Sequence, residues 1–208
     1  MRVSYFYLMA IYTLISAKGD GRFIIPNREV MSDWARWIVG NEVRTDGILK
    51  PCLEGPVSDF EATWPNFMQQ HLHPKQTEIR GFPKKTPEKI YQVFFLGLML
   101  HLRRVGWDVA VEKQANSGFA DLCLFRGRYG VLIELKSSYS LEGMKEDADM
   151  GLERIVSKNY RNPESLPNVR FLREYGIGCY RVDSYVKGRY LELDHGEWVE
   201  KDDPENRV

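Results

Sequence analysis

The clearest hydrophobic pattern lies in the middle of the chain, where a helical period gives way to an alternating one. Thr86 and Pro87 are typical of a helix start, and the apolar residues after them recur at helical spacing up to the glycine at position 106. Three β-rich segments follow, at 107–112, 119–125 and 129–136. The pattern therefore predicts one helix over 86–105 and then a meander of three strands.

The rest of the second half predicts another helix and two more strands. Residues 141–160 have apolar positions at helical spacing, and 176–182 and 185–193 are β-rich. The order helix, three strands, helix, strands is typical of the α/β or α+β class, with a mixed sheet flanked by helices.

The two ends of the chain have different patterns. Residues 1–50 predict a small helical linker module, with helices at 3–17 and 27–40 and a short strand at 22–25. Residues 51–83 contain prolines and glycines and few periodic runs, so we expect a connector in which 60–71 is the candidate helix. Residues 197–208 are mostly charged or polar and predict a loose tail.

Composition and charge narrow the possible partners. With 43% hydrophobic and 28% charged residues, the chain is an ordinary globular protein. Because its formal net charge is zero, contact with nucleic acid would have to come from local basic clusters. Cys52, Cys123 and Cys179 are too widely spaced to suggest a disulfide framework or a structural zinc site, which favours a reducing compartment inside the cell, cytoplasmic or nuclear.

The mostly apolar run 5–15 has two possible interpretations. Its tyrosines and Thr13 favour a buried helix, whereas Arg2 in front of it would also suit the core of a secretion signal. The run is too short to span a bilayer, and no other segment approaches membrane length, so no membrane partner is expected.

Candidate chemistry lies in the predicted hairpin. Residues two apart in a strand share a face, so Glu134 and Lys136 point the same way, while Ile133 and Leu135 point into the core. Asp121 begins the apolar run of the partner strand, and pairing of the two strands lets it approach Glu134. A carboxylate and a lysine within an apolar strand are costly to place there by accident.

This set suits a divalent metal. Asp121, Glu134 and the backbone carbonyl of Leu135 supply the hard oxygen ligands that Mg²⁺ or Mn²⁺ prefers, and Lys136 would orient a water or balance charge. Glu88, in the first turn of the 86–105 helix, would be a fourth member. Other interpretations remain open: a solvated ion pair for Glu134 and Lys136, a helix-dipole partner for Glu88, and a turn start for Asp121.

The order of these residues resembles the PD-(D/E)XK nuclease superfamily. The acid followed by twelve residues and Glu134-Leu135-Lys136 is a weak motif alone, but the surrounding segments 87–92, 117–121, 152–160 and 175–178 make it more specific. They resemble the nuclease-like domain that follows AAA-ATPase-like regions. The resemblance implies a restriction-endonuclease-like α/β/α core over 84–196, Mg²⁺ or Mn²⁺ as cofactor, and hydrolysis of DNA or RNA, with Lys136, Glu134, Asp121 and Glu88 as catalytic residues.

The resemblance also suggests which residues bind nucleic acid, with DNA as the expected partner. These candidates are Arg154, Lys158, Gln92 and Tyr160. Two of them depart from the family pattern, since Arg154 stands where a glutamine is common and Gln92 where a histidine is usual. Arg154 has two interpretations: a ligand for the scissile phosphate, or a residue on the solvent side.

The resemblance extends upstream to 25–30, which is similar to the linker between the ATPase and nuclease parts. No G-x-x-x-x-G-K-[ST] loop is present, so nucleotide hydrolysis is not expected. The chain would then be either a fragment or a shortened relative, and its apolar opening helix would favour a homodimer. The alternative function is a catalytically inactive nuclease fold that binds nucleic acid or a protein partner.

Overall fold

A computed structural model describes residues 46–77, 85–115, 118–162, 166 and 168–203. The predicted helices at 3–17 and 27–40 and the predicted strand at 22–25 lie outside these residues. Within the described ranges, no helix has the length and apolar character needed to cross a membrane.

The described residues form five α-helices and one 3₁₀ helix, with bounds as follows. The α-helices are α1 (Asp46–Leu53), α2 (Val57–His71), α3 (Pro74–Thr77), α4 (Glu88–Met99) and α5 (Met144–Ser157), and the 3₁₀ helix is Leu100–Val105. The predicted 86–105 helix is therefore confirmed as α4, whose last part tightens into the 3₁₀ helix. That segment ends at Gly106, which has the left-handed φ of 86° that glycine adopts without steric cost.

In the part of the chain that the structure describes, six strands form one mixed sheet in the order of the sequence. They are β1 (Asp108–Ala115), β2 (Gly118–Arg126), β3 (Tyr129–Ser137), β4 (Phe171–Tyr180), β5 (Asp183–Asp194) and β6 (Glu197–Lys201). Among these described strands, only β3 and β4 pair in parallel, and α5 forms the crossover between them. The predicted meander of three strands and the helix after it are confirmed.

Helices cover both faces of this sheet, and each face has its own core. On one face, the rings of Trp64 and Phe95 from α2 and α4 stack with centroids 4.0 Å apart, and Phe60 meets Tyr175 of β4 at 4.7 Å. On the other face, α5 packs Leu152 and Ile155 against the sheet. The predicted α/β class with a mixed sheet flanked by helices is confirmed.

Helix α5 lies unusually close to β4 because two strand residues lack side chains. A Cβ at Gly176 would lie 2.0 Å from the backbone oxygen of Ala148, and one at Gly178 would lie 2.0 Å from that of Met144. Glycine therefore permits direct backbone contact between helix and strand. This contact holds α5 over β3 and β4, where the candidate site lies.

The candidate helix at 60–71 is confirmed by α2, which begins three residues earlier and runs through Pro65. The other less regular segments differ from the predictions. The connector 51–83 also contains the end of α1 and the short α3. Strand β4 begins at Phe171, five residues before the predicted start. The tail 197–208 begins with β6, which pairs with β5, and Asp203 accepts a hydrogen bond from the backbone of Val57 at 2.8 Å. Buried partners far away in the sequence stabilise these segments, and local patterns do not reveal them.

Candidate functional site

The candidate site lies where β2 separates from β3. The paired register of these strands runs from Arg126 and Tyr129 at the turn to Leu122 and Ile133. One step further, Asp121 and Glu134 would face each other, but the ladder has ended. The sequence prediction that the hairpin brings Asp121 towards Glu134 agrees with this register, and the end of the ladder leaves a gap between the strands.

Asp121 spans this gap with its carboxylate. Its Oδ2 accepts the backbone N–H of Leu135 at 2.8 Å, which takes the place of a missing ladder bond. Its Oδ1 accepts a hydrogen bond of 2.6 Å from Nε2 of Gln92 on α4. Asp121 is therefore fixed between β3 and α4, and both of its oxygens have a partner.

The backbone of Leu135 supports its predicted place in the site. In a β-strand the N–H and C=O of one residue point towards the same neighbouring strand. Because the Leu135 N–H points to Asp121, its carbonyl opens into the same gap. A backbone oxygen is thus available beside the two carboxylates.

Glu134 is the most buried member of the set, with no exposed surface. Its Oε1 accepts Nζ of Lys136 at 3.0 Å, and Nε of Arg154 from α5 lies 2.7 Å from the same oxygen. Its Oε2 is buried and has no hydrogen-bond partner among the described residues. Two cations thus share one oxygen while the other oxygen is unpaired.

Glu88 lies on the opposite side of the strand end. Its Oε1 accepts the backbone N–H of Ser137 at 3.2 Å, and the Ser137 hydroxyl donates to the carbonyl of Thr86. These bonds attach the start of α4 to the end of β3. Glu88 therefore lies beside the end of β3 with one oxygen engaged by the backbone, and its part in the site stays a prediction.

Burial and mutual repulsion raise the pKa values of the two central carboxyl groups. Desolvation, and then the charge of Asp121, raise the pKa of Glu134 to about 7, against the lowering effect of Lys136 and Arg154. Desolvation also raises the pKa of Asp121, although the Leu135 N–H and the charge of Lys136 lower it. Two acids that resist ionising side by side form a site that favours additional positive charge.

The donor set fits a hard divalent cation. No three His, Cys, Asp or Glu side chains within the described ranges are grouped closely enough to hold an ion by themselves. However, Oε2 of Glu134 and Oε1 of Gln92 are buried oxygens without hydrogen-bond partners in that part of the chain. Oxygen ligands of this kind, with the Leu135 carbonyl, match the preference of Mg²⁺ and Mn²⁺.

The four residues predicted to bind nucleic acid differ in how far their side chains are exposed. Gln92 and Tyr160 are buried, at 6% and 1% exposure, and their contact with nucleic acid stays a prediction. Gln92 instead positions Asp121, and the Tyr160 hydroxyl accepts Nε of Arg154 at 3.5 Å. The Arg154 side chain is 42% exposed and faces the site, and Lys158 is half-buried just beyond the end of α5.

Sequence reasoning missed two contributors to the site. Ser137 extends the Glu134-Leu135-Lys136 run by one residue and joins β3 to both Glu88 and Thr86. The bond from Gln92 to Asp121 was also missed. A helical glutamine one turn after Glu88 was the available signal, because residues four apart share a helix face.

Comparison with known proteins agrees with this geometry. Residues 86–186 match the family model of the PD-(D/E)XK nuclease superfamily. This segment begins just before α4 and ends within β5, so it contains Glu88, Asp121, Glu134 and Lys136. The mixed sheet with flanking helices is consistent with the restriction-endonuclease-like fold. No curated protein matched the chain.

Proposed function

Residues 86–186 belong to the PD-(D/E)XK nuclease superfamily, and we propose that the chain is a nuclease that hydrolyses phosphodiester bonds of DNA or RNA with Mg²⁺ or Mn²⁺. The observation that carries the proposal is the meeting of Asp121, Glu134 and Lys136 at the point where β2 leaves β3. Family membership alone suggests a hydrolase but does not establish activity, because the family includes inactive members.

The metal ligands in this proposal are Asp121, Glu134 and the Leu135 carbonyl, with Glu88 beside them. A bound divalent ion would polarise the phosphate and make a coordinated water more acidic. Gln92 and the Leu135 N–H keep Asp121 turned into the gap. Positioned groups of this kind lower the barrier because they need no reorganisation during the reaction.

Lys136 would act on the water and on the transition state. Its ammonium group donates to Glu134 at 3.0 Å, and its side chain is 15% exposed, so it reaches the site edge without leaving the protein. From there it can orient the attacking water or balance charge that develops on the phosphate. Arg154 and Lys158 are the proposed ligands for the nucleic-acid backbone, because both lie on the side of the site formed by α5.

The test is cleavage of single- and double-stranded DNA and RNA in Mn²⁺. We expect the wild type to cut at least one of these substrates, and Lys136→Ala to be slower by about 100-fold or more, as for loss of a group that stabilises the transition state. Lys187→Ala is the matched control, because Lys187 pairs with Asp149 on the surface of α5 and should leave the rate unchanged.

Two results would contradict the proposal. One is the absence of cleavage of all four substrates by the wild type in both Mg²⁺ and Mn²⁺. The other is equal cleavage by the wild type and by Lys136→Ala, because the activity would then come from a contaminant.

One observation favours a second function, an inactive nuclease fold that binds nucleic acid or a protein partner. Glu134 already has two cationic partners, which reduces its ability to attract a metal ion. Calorimetry separates the two functions. If neither Mg²⁺ nor Mn²⁺ binds in a way that Glu134→Ala abolishes, the binding module is the better conclusion.

A further inference from the structure

Arg154 has an unusual relation to Glu134. Its Nε lies 2.7 Å from Oε1 of Glu134, which is close enough for a strong ion pair. Yet the N–H hydrogen bond from this nitrogen is to the Tyr160 hydroxyl, at the long distance of 3.5 Å. The attraction between Arg154 and Glu134 is therefore one of charge and lacks the forked geometry that makes arginine–carboxylate pairs tight.

Arg154 is also the more accessible of the two cations on Glu134. Its side chain is 42% exposed, compared with 15% for Lys136. A half-exposed guanidinium group loses little free energy when it turns back into water, because the ion pair is screened there. Lys136 is more enclosed and donates a hydrogen bond to Glu134, so it is the partner that stays.

The charges around the gap explain why a cation is needed there and why it can be exchanged. Asp121, Glu134 and Glu88 are three acids, and Lys136 and Arg154 are two bases, so with all three acids ionised the set falls one positive charge short of balance. A divalent ion would change this to an excess of one positive charge while Arg154 remained. Repulsion between the ion and the guanidinium group would then favour the departure of Arg154.

We propose that Arg154 is an exchangeable cation, which neutralises Glu134 in the metal-free protein, leaves it when a divalent ion binds, and then binds a phosphate of the nucleic acid. This inference rests on the proposed nuclease function. In the metal-free site Arg154 is a positioning residue, and in the metal-bound site it is a ligand for the substrate. Metal binding and nucleic-acid binding are therefore coupled.

The exchange has a cost and a benefit that both follow from arginine chemistry. While Arg154 holds Glu134, the ion must displace it, so metal affinity is reduced. Once released, the planar guanidinium can form two parallel hydrogen bonds with a phosphate. A glutamine at this position would neither compete with the metal nor carry charge to the substrate.

The first arm of the test measures Mn²⁺ binding by calorimetry on chelator-stripped protein without nucleic acid. We expect Arg154→Gln to bind Mn²⁺ about tenfold more tightly than the wild type, since one competing positive charge has been removed. Arg154→Lys should remain near the wild type. Arg170→Gln is the charge control, because Arg170 is exposed between helix α5 and strand β4, and should have no effect.

The second arm measures the salt dependence of binding to a labelled oligonucleotide, in Ca²⁺ and in a chelator. Each phosphate contact steepens the dependence of log K on log salt by a slope of about 0.7–0.9. In Ca²⁺, Arg154→Gln should lose about one such contact relative to the wild type. In the chelator the two should have equal slopes, because Arg154 is then held by Glu134.

Glu134→Gln provides the reciprocal variant. It removes the carboxylate that holds Arg154, so its slope in the chelator should rise to the value that the wild type has in Ca²⁺. A residue that only stiffens the fold would not change the slope in this way.

Each outcome bears on the inference. It is overturned if Arg154→Gln binds Mn²⁺ no more tightly than the wild type, or if its salt slope equals that of the wild type in Ca²⁺. Binding of Mn²⁺ by Arg154→Gln but not by the wild type would also overturn it, because the ion would then be unable to displace Arg154. If no variant and no wild-type protein binds a divalent ion, the exchange and the metal-dependent function both fail. If the wild type binds one and Glu134→Ala does not, the function survives even when the exchange fails.

Discussion

Two buried glutamates lie on the same face of the sheet, and they have opposite characters. Glu134 is on β3, and its backbone partner on β4 is Gly176. Glu174 is on β4, and its backbone partner on β3 is Leu132. Neither has any exposed surface, both lie under α5, and each has two basic partners. They differ in how those partners are arranged.

Glu174 is fully satisfied. Arg161 donates to both of its oxygens, at 2.5 and 2.7 Å, and Arg189 donates to Oε2 at 2.8 Å and also to the carbonyl of Leu152 at 3.3 Å. At Glu134, both cations approach one oxygen and the second oxygen has no hydrogen-bond partner among the described residues. Both oxygens of Glu174 are engaged, so this carboxylate serves to hold the fold together. Glu134 has one oxygen left over, so this carboxylate is available to bind a ligand.

The largest expected effect is on the Glu174 side of the comparison. Glu174→Gln leaves Arg161 and Arg189 without a counter-charge in a mostly enclosed position, and we expect it to lower the free energy of unfolding by about 3–5 kcal/mol. Urea denaturation followed by circular dichroism measures this. A loss below about 1 kcal/mol would show that the two arginines reach solvent freely and that Glu174 is not a structural centre.

A smaller loss is expected from the glycine that holds α5 over both glutamates. Gly176→Ala places a methyl group 2.0 Å from the backbone oxygen of Ala148, so α5 must shift, at a cost of about 1–3 kcal/mol. The shift also moves Arg154 relative to Glu134, so Mn²⁺ affinity should change together with stability. In Gly143→Ala, whose nearest neighbour would be 3.6 Å away, neither quantity should change much. Unchanged stability in Gly176→Ala would contradict the close contact.

The last effect is on the Glu134 side, is no larger than that of Gly176→Ala, and has the opposite sign. Because the folded pKa of Glu134 is raised from 4.5 to about 7, the folded state retains its proton longer than the unfolded state does. Its contribution to stability is therefore present below pH 4.5 and is lost as the pH rises to about 7. Glu134→Gln should remove this loss, so in a chelator at pH 8 it should be more stable than the wild type by about 1–3 kcal/mol.

The measurement is thermal and urea unfolding of both proteins between pH 4 and pH 8. The difference between wild type and Glu134→Gln isolates this group from others that titrate in the same range. A wild type that is more stable than the variant at pH 8 would mean that Lys136 and Arg154 stabilise the charged form more than burial destabilises it.

Much of the fold was predictable from local patterns because those elements carry their own signals. Alternation over 119–125 and 129–136 gave the hairpin, and Thr86-Pro87 gave the start of the helix beside it. The start of β4 was missed because Arg173 and Glu174 interrupt the apolar pattern. Both are buried, but their partners come from distant segments, so their burial has no local signature.

The same reasoning explains the other errors. Prolines at positions 51 and 65 indicate breaks, yet both lie inside helices, and in the second of these Phe60 packs against Tyr175 of the sheet. In the site, the shared face of Glu134 and Lys136 followed from strand alternation alone. The two-cation contact on one oxygen did not, because it depends on how closely α5 approaches β3.

Arg173 has a consequence for where the folding unit begins and ends. Its guanidinium group donates to the carbonyls of Leu53, Glu54 and Gly55, at the end of α1 and just after it, and lies 2.9 Å from Asp203 beyond β6. The family segment 86–186 contains Arg173 but none of these partners. The segment that matches the family model is thus shorter than the set of residues that holds Arg173, and a fragment limited to 86–186 would leave this buried guanidinium group without these hydrogen-bond partners. Fragments for biochemical work should extend at least from Asp46 to Asp203.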